Sequence, residues 1–284
     1  MAVTAADVKR LRDETDAPIL EVKKALDEAG GDYDKAKALL REKGKAAAAK
    51  RADRATAAGT VVVVISDDGK SAGAVVLESE TDFVAINESF KALAKELAEI
   101  FRDNEPGSDP LAVEHGGRSV GARIEEAISK IRENIKISRA GRWVGEHLHG
   151  AYVHHTGKQG AVVGIKGDAS NLDEIAYAVA AQAVAMPPKF LRKDEVPQDL
   201  IEKELEIETT RAINEGKSPE IAKNIAQGRI NKEYYKQVVL LEQPFYKDLG
   251  KSVGDYVAEA AKAGGGTAEI VSVALLNVGG ESES

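Results

Sequence analysis

Two apolar runs on either side of an Asp-Gly turn are the strongest constraint on the fold of this chain. The first run, VVVVI, occupies residues 61–65, and the second, SAGAVVLE, occupies residues 71–78. Asp68 and Gly69 lie between them, and an Asp-Gly pair favours a tight turn because glycine adopts positive φ at no steric cost. The β-branched residues in these runs favour strands. The pattern therefore predicts a β-hairpin.

A helix is predicted after this hairpin, and the same order of elements then recurs. Asn87 suits the N-cap of an amphipathic helix at about 87–103, whose apolar residues repeat at helical spacing. Later in the chain, the strand-like stretches HLHGAYVHH and GKQGAVVGIKG precede an apolar helix that Asn171 is expected to cap. Two rounds of strands followed by a helix predict an α+β fold with two related subdomains.

Residues 1–44 carry the pattern of three short helices. Each predicted helix begins at a residue that suits a helix N-terminus: Thr4, Pro18 and Asp32. Gly44 is expected to end the third helix, because glycine commonly terminates helices. The Ala-rich basic segment at 45–58 has no apolar stripe, and it predicts either a solvated linker or a contact with an acidic partner surface.

The segment from Val196 to about Ile230 is highly charged, with apolar residues at helical spacing and a break at GKSP. That pattern predicts a helical hairpin at about 196–232, which could pair with a second copy of the chain. The last four residues, ESES, are expected to be disordered. The predicted parts are an N-terminal helical domain with its linker, a core subdomain N and a core subdomain C, at 1–55, 56–140 and 141–284.

The composition argues against several classes of protein. The 284 residues include no cysteine, which excludes disulfides and thiolate chemistry and favours a reducing cytoplasm. The net charge of −8 argues against direct nucleic-acid binding, because such binding relies on Lys and Arg to displace counterions. No apolar run has the length that a transmembrane helix needs, so we expect no membrane partner.

The motifs that resemble nucleotide or catalytic sites lack their required context. EGKS at 215–218 and LGKS at 249–252 have Arg211 and Phe245 where a phosphate-binding loop needs glycine. Both motifs are therefore interpreted as turns at helix boundaries. Most of the histidines lie in HLHGAYVHH, where a His-centred zinc site is the alternative to a polar surface strand. No nucleophile and base are paired, so we assign no catalytic residue, cofactor or metal ligand.

The connector SETDFVAI, at residues 79–86, is unusually apolar. Connectors are usually polar and rich in Gly or Pro, yet this one places Phe83 beside Asp82. Either Phe83 folds into the core beneath the next helix, or it is an exposed anchor of the kind that binding hot spots use. In the second case we expect Val84 and Ile86 to pack inward while Asp82 and Phe83 point outward.

Several longer stretches carry a resemblance to a known family. They are VKRLRDET, EVKKAL and GDYDKAKALLREKG near the N-terminus, TDFVA at 81–85, ENIKISR at 133–139, GKSPEIAKNIAQGRINKEYY at 216–235 and LLEQPFYKD at 240–248. Together they resemble the elongation factor Ts family, the guanine-nucleotide exchange factors of elongation factor Tu. The resemblance is collinear over nearly the whole chain. It implies a ubiquitin-associated-like N-terminal domain, two α+β core subdomains and an inserted antiparallel coiled coil.

The resemblance implies that the chain acts by binding a protein and not by covalent chemistry. In the family, the Asp-Phe pair of the TDFV motif is pushed towards the Mg²⁺ of elongation factor Tu, and GDP then leaves so that GTP can bind. The residues implied at that contact are Thr81, Asp82, Phe83 and Val84. The N-terminal domain is implied to dock through Val8, Lys9, Leu11, Arg12, Ile19 and Leu20, and the core is implied to contribute Ile131, Arg132 and His154.

The chain departs from the family pattern at two places. Thr15-Asp16-Ala17-Pro18 stands where Thr-Gly-Ala-Gly is usual, and Ile19-Leu20 stands where paired methionines are common. The histidine strand has an extra residue between Tyr152 and Gly160. Two other hypotheses remain open at this point, an enzyme with a His-centred metal site and a ubiquitin-associated-type adaptor without exchange activity.

Overall fold

The structure is a computed structural model that describes residues 3–15 and 17–280. The tail that was expected to be disordered, at 281–284, lies outside the described residues, as does Asp16. The described part of the chain mixes helices and strands throughout, and the α+β fold class expected from the sequence is confirmed at that level.

The chain forms two compact units. Of the described residues, the first unit comprises 3–15, 17–64, 73–142 and 277–280, and the second comprises 65–72 and 143–276. The helices are α1 Ala5–Thr15, α2 Ile19–Glu28, α3 Tyr33–Ala49, α4 Asp82–Ala85, α5 Glu88–Asp103, α6 Val120–Ile131, α7 Leu172–Ala185, α8 Gln198–Asn214, α9 Pro219–Arg229, α10 Tyr235–Val238 and α11 Val253–Ala263. The strands are β1 Ala58–Ile65, β2 Ser71–Ser79, β3 Glu114–His115, β4 Arg118–Ser119, β5 Ile135–Val144, β6 Leu148–Val153, β7 Gln159–Gly167, β8 Pro244–Phe245, β9 Asp248–Ser252 and β10 Ala268–Asn277.

A three-stranded sheet in the order β1-β2-β5 supports the first unit. The predicted hairpin is confirmed, because β1 and β2 are neighbours and Gly69 adopts a φ of 71° in the turn between them. The predicted helix after it is also confirmed as α5, which the Asn87 side chain caps by accepting the N–H of Ser89. Apolar side chains of α5, α6 and β2 form one core that includes Leu77, Phe90, Leu97, Phe101 and Ile128.

The helices α1, α2 and α3 bury a small core of their own in the first unit. Its fully buried side chains are Leu11, Val22, Ala25, Leu26 and Ala36. The expectation that Gly44 ends the third helix is wrong, because α3 continues through it to Ala49. Gly44 is buried against α6, where a Cβ would lie 3.0 Å from the Ser129 hydroxyl. This glycine therefore permits close helix packing and does not terminate a helix.

The second unit has a three-stranded sheet in the order β10-β7-β6. β6 and β7 pair antiparallel from Leu148–Ile165 to Val153–Gly160, and the apolar helix α7 packs against them. Asn171 does not cap α7 as expected, because its amide donates to the Ala260 carbonyl of α11 instead.

The LGKS stretch is also not a turn. It lies in β9, and Ser252 caps α11 in a capping box.

Two helices, α8 and α9, occupy the charged segment where a helical hairpin is predicted. They are joined through 215–218, which contains the EGKS turn expected from the sequence. Arg229 of α9 pairs with Glu208 at 2.9 Å and with Glu215 at 2.8 Å. After α9 the chain continues as a short π-helix over Ile230–Tyr234.

Candidate functional site

The TDFV stretch forms a single helical turn, α4, between the end of β2 and the start of α5. Thr81 is its N-cap, with an extended backbone and a hydroxyl that accepts the Val84 N–H at 3.5 Å. Asp82 occupies the first position, where a negative charge is favourable because the free N–H groups of the helix N-terminus point towards it. The connector is therefore an ordered helical turn, although a loop is the usual expectation at such a position.

Glu133 holds the first residue of this turn. Its carboxylate accepts the backbone N–H of Thr81 at 3.0 Å and the Thr81 hydroxyl hydrogen at 2.6 Å. Hydrogen bonds to an ionised acceptor are shorter and stronger than neutral ones. Sequence reasoning did not single out Glu133, because no periodic pattern links residues so far apart in the chain. The one available signal is that Glu133 begins the ENIKISR stretch.

Phe83 points to solvent and is 80% exposed. The interpretation that places Phe83 in the core is therefore wrong. Val84 is partly buried and packs against the core of the first unit as expected, while Ala85 is buried. The expectation that Ile86 packs inward is wrong, since it is 67% exposed. The four-residue helix turns only once, and Val84 and Ala85 are the residues that anchor it, so Ile86 shares the exposed face with Phe83.

Asp82 lies beside this exposed aromatic with its carboxylate free. It is exposed, and it makes no ion pair or side-chain hydrogen bond with the described residues. The Asp82 carboxylate and the exposed Phe83 ring are therefore both accessible to another molecule. Hot spots at interfaces are enriched in aromatic side chains, and a rigid mount lowers the entropy that binding costs.

The end of α6 adjoins the same turn. Ile131 is partly buried against the core of the first unit. Arg132 caps α6 in the left-handed region at a φ of 67°, which is the only positive φ of a non-glycine residue in the described chain. Its guanidinium pairs with Glu21 of α2 at 2.8 Å. Adjacent residues thus make two different links, Arg132 to α2 and Glu133 to Thr81.

The N-terminal residues implied in docking divide into surface and core. Ile19 and Leu20, at the start of α2, are 57% and 73% exposed, and Lys9 and Arg12 are exposed on α1. Val8 is partly buried. Leu11 is fully buried among the three helices, so its side chain has no surface to offer a partner and supports the helices instead.

The Glu14 carboxylate links α1 to α3 and so stabilises the packing of the N-terminal helices. Glu14 accepts hydrogen bonds from Lys37 and Tyr33 of α3. The bond from Lys37, followed by that from Tyr33, holds the pKa of Glu14 below its usual range, so this carboxylate is ionised at neutral pH. At the turn between α1 and α2, the Thr15 hydroxyl donates to the Leu11 carbonyl at 2.6 Å.

His154 lies in the second unit, immediately after β6. Its backbone N–H donates to Gln159 at 2.8 Å, its Nδ1 is 2.9 Å from the Thr156 hydroxyl, and its ring is 4.1 Å from that of His155. His149 is buried, with Nδ1 3.1 Å from the Gly69 carbonyl. Burial lowers the pKa of His149. No three His, Asp or Glu side chains among the described residues converge as metal ligands, so a zinc site gains no support.

The exposed Phe83 ring and the exposed Asp82 carboxylate thus lie side by side on an ordered helical turn of an α+β scaffold. None of the helices in the described residues could cross a membrane. The family model "Elongation factor TS" matches residues 80–280. Elongation factor Ts of Aquifex aeolicus is 40% identical over 92% of this chain and 93% of its own length. Elongation factor Ts of Deinococcus deserti is 41% identical over 89% of this chain and 94% of its own length. The chain therefore belongs to the elongation factor Ts family of translation elongation factors.

Proposed function

We propose that this chain is a guanine-nucleotide exchange factor for elongation factor Tu. It binds the GDP complex of that protein, inserts Asp82 and Phe83 beside the Mg²⁺, and releases GDP so that GTP can bind. The observation that carries the proposal is the exposed Phe83 ring on a helical turn that Glu133 clamps at Thr81. Membership of the family supports the identity of the partner.

The proposed mechanism acts on the coordination of Mg²⁺ in the partner. Mg²⁺ requires nearly ideal octahedral geometry and dehydrates reluctantly. A phenyl ring that enters between partner helices displaces a ligand-bearing segment, and a small displacement is enough to lose that geometry. The Asp82 carboxylate adds negative charge near the phosphates, and like charges raise the free energy of the bound GDP. GDP dissociates when the metal no longer neutralises its β-phosphate.

The energy for this displacement comes from an extended interface. Thermodynamic linkage requires reciprocity between the two ligands of elongation factor Tu. This protein weakens the binding of GDP by the same ratio as GDP weakens the binding of this protein. Each tenfold weakening needs about 1.4 kcal/mol of binding energy that is made only with the nucleotide-free partner. Ile19 and Leu20 offer exposed apolar area, and Lys9 and Arg12 are exposed basic residues of α1. We propose that these side chains dock on a partner helix.

The finer assignments belong to the same proposal. They are a ubiquitin-associated-like domain with its linker at 1–55, core subdomain N at 56–140, core subdomain C at 141–284 and a coiled-coil hairpin at about 196–232. We further propose a cytoplasmic location, action without a cofactor or nucleic acid, a supporting contact from Ile131, Arg132 and His154, and a homodimer through the hairpin. The paired α8 and α9 support the hairpin.

The test is stopped-flow release of fluorescent GDP from elongation factor Tu. We expect acceleration by this protein and a strong loss of acceleration in Phe83→Ala, with an unchanged thermal midpoint. Leu249→Ala is the matched control, because Leu249 is also a strongly exposed apolar side chain but lies in the second unit. No acceleration by the wild-type chain would overturn the proposal. An adaptor without exchange activity predicts instead that residues 60–284 are dispensable for binding.

A further inference from the structure

The two segments at the base of the Asp82-Phe83 turn hold each other through reciprocal hydrogen bonds. Glu133 accepts the backbone N–H and the hydroxyl hydrogen of Thr81. In return, Glu80 accepts the backbone N–H of Asn134 at 2.6 Å. Each segment therefore supplies a carboxylate for the main chain of the other. Hydrogen bonds to charged acceptors contribute more than neutral ones, and these three bonds, two in one direction and one in the other, fix the relative position of the segments.

The segment that carries Glu133 is itself anchored. Asn134 is buried, and its amide donates to the Ala52 carbonyl at 3.2 Å and to the Arg54 carbonyl at 2.7 Å. Arg54 also pairs with Glu80 at 3.3 Å. A buried amide that uses both its hydrogens on main-chain carbonyls is costly to displace, because its partners would be left unsatisfied. Glu133 thus projects from a fixed support.

We propose that Glu133 is a positioning residue for nucleotide exchange, which rests on the proposed function. A helix as short as α4 has no stability of its own in water, because nucleating one turn fixes several dihedral angles for a single hydrogen bond. Glu133 supplies the missing restraint by holding Thr81, the residue that caps the turn. The direction in which Phe83 leaves the surface therefore depends on a carboxylate that acts only through Thr81.

The test measures two quantities for each variant. One is the maximal rate constant for GDP release, and the other is the concentration of this protein that gives half of that rate constant. In Glu133→Ala, we expect the maximal rate constant to fall by about tenfold to a hundredfold, since a misplaced group loses rate to that extent. The half-saturating concentration should stay nearly constant, because the N-terminal docking surface is intact. A variant that is merely partly unfolded shows the opposite, a raised half-saturating concentration with an unchanged maximal rate constant.

Two further variants make the test specific. Glu133→Gln keeps an oxygen that can accept the Thr81 hydroxyl hydrogen but replaces the other oxygen with a donor, so an intermediate rate constant is expected. Glu99→Ala removes a half-exposed carboxylate from α5 in the same unit, and this variant should accelerate GDP release as much as the wild type does. Thr81→Val removes the hydroxyl with little change in shape. If Glu133→Ala fails to fold, Thr81→Val tests the same hydrogen bond in its place.

A double variant and a partner-free measurement complete the test. Thr81→Val combined with Glu133→Ala should lose less rate than the two single losses multiplied together, since both changes break the bond between the Thr81 hydroxyl and Glu133, although Thr81→Val also removes the bond that caps Val84. Amide hydrogen exchange at Thr81, Val84 and Ala85 should be faster in free Glu133→Ala than in the free wild type. Wild-type rates and unchanged exchange in Glu133→Ala would overturn the inference while leaving the proposed function intact. A wild-type chain without exchange activity would instead overturn the proposed function.

Discussion

Phe83 and Ile86 lie three residues apart on α4 and its C-cap, and both side chains face solvent. Residues at this spacing share one face of a helical turn, so they form a single apolar patch beside the free Asp82 carboxylate. The patch is held by one partly buried side chain, Val84, and by the buried Ala85. The exposed apolar surface of the turn is therefore wider than the Phe83 side chain alone.

The first prediction concerns Ile86. Ile86→Ser should weaken binding of elongation factor Tu, because full burial of such a side chain is worth about 1.5–3 kcal/mol and this burial would occur only in the complex. The free energy of unfolding should change by less than about 0.5 kcal/mol, as is usual for exposed positions. Titration calorimetry and urea unfolding measure the two quantities. Equal affinity for the variant and the wild type would show that the patch ends at Phe83.

The second prediction separates core from surface in the N-terminal helices. Leu11→Ala should destabilise these helices by about 2–5 kcal/mol, the range for large-to-small changes at buried sites. Leu20→Ala should leave stability unchanged and weaken binding of elongation factor Tu, since Leu20 is largely exposed. Urea unfolding and binding assays on both variants check this contrast. A Leu11→Ala variant with wild-type stability would contradict the burial of Leu11 in this core.

Much of the fold was predictable from local patterns. The hairpin, the helix that begins after Asn87 and the caps at Thr4 and Asp32 follow from turn chemistry and capping preferences, which depend on neighbouring residues. Gly44 and Asn171 were misjudged because each makes a tertiary contact, Gly44 with Ser129 and Asn171 with Ala260. Local propensity does not contain such contacts.

The candidate site was predictable only in part. The unusually apolar connector and the family resemblance both indicate Asp82 and Phe83, and the structure adds that Phe83 is exposed. The clamp by Glu133 was not predictable, because Thr81 and Glu133 are brought together by the fold and not by sequence spacing. Leu11 was expected to contact a partner and Ile86 to pack inward, and burial shows the reverse for both side chains. Their exposure depends on which helix face meets a neighbour, and a motif does not specify that.

The third prediction concerns the left-handed residue at the end of α6. Arg132→Gly should retain or raise stability, because the left-handed region costs a non-glycine residue about 1–2 kcal/mol, whereas the exposed ion pair with Glu21 contributes at most about 1 kcal/mol. Arg132→Val should be clearly less stable than Arg132→Gly, since β-branched side chains are poorly tolerated there. Thermal unfolding of both variants measures the difference. Equal midpoints for Gly and Val would contradict the left-handed conformation.

The fourth prediction tests how closely α5 approaches the sheet. A Cβ at Gly73 would lie 2.2 Å from the Ala98 carbonyl oxygen and 2.3 Å from the Arg102 nitrogen, and both are backbone atoms that cannot rotate away. Gly73→Ala should therefore force α5 off β2 and destabilise the first unit by about 1–3 kcal/mol or more, the cost of overpacking. Gly228→Ala is the control, because nothing lies within 4 Å of that position. Similar unfolding midpoints for the two variants would contradict the close approach.

The last prediction is a pH dependence that arises from Glu78. This side chain is almost fully buried, and it accepts the Gly279 N–H at 3.0 Å and the Thr56 hydroxyl hydrogen at 2.8 Å, with Lys136 at 3.5 Å. Burial alone would raise the pKa of Glu78, but the bonds from Gly279 and Thr56 outweigh it, with help from Ser138 and Lys136, and hold that pKa below its usual range.

The sign of the effect follows from this lowered pKa. Glutamate in an unfolded chain titrates at about pH 4.3, so above that pH both states are ionised and the full stabilisation by Glu78 is present. As the pH falls below this value towards the lower pKa of the folded state, the unfolded chain binds the proton first and the stabilisation is lost. The stability difference between the wild type and Glu78→Gln should therefore shrink as the pH falls below about 5. Thr56→Ala should show a shallower pH dependence than the wild type, because one donor is gone. Urea unfolding across this pH range measures these slopes, and a pH-independent difference would contradict the role of Glu78.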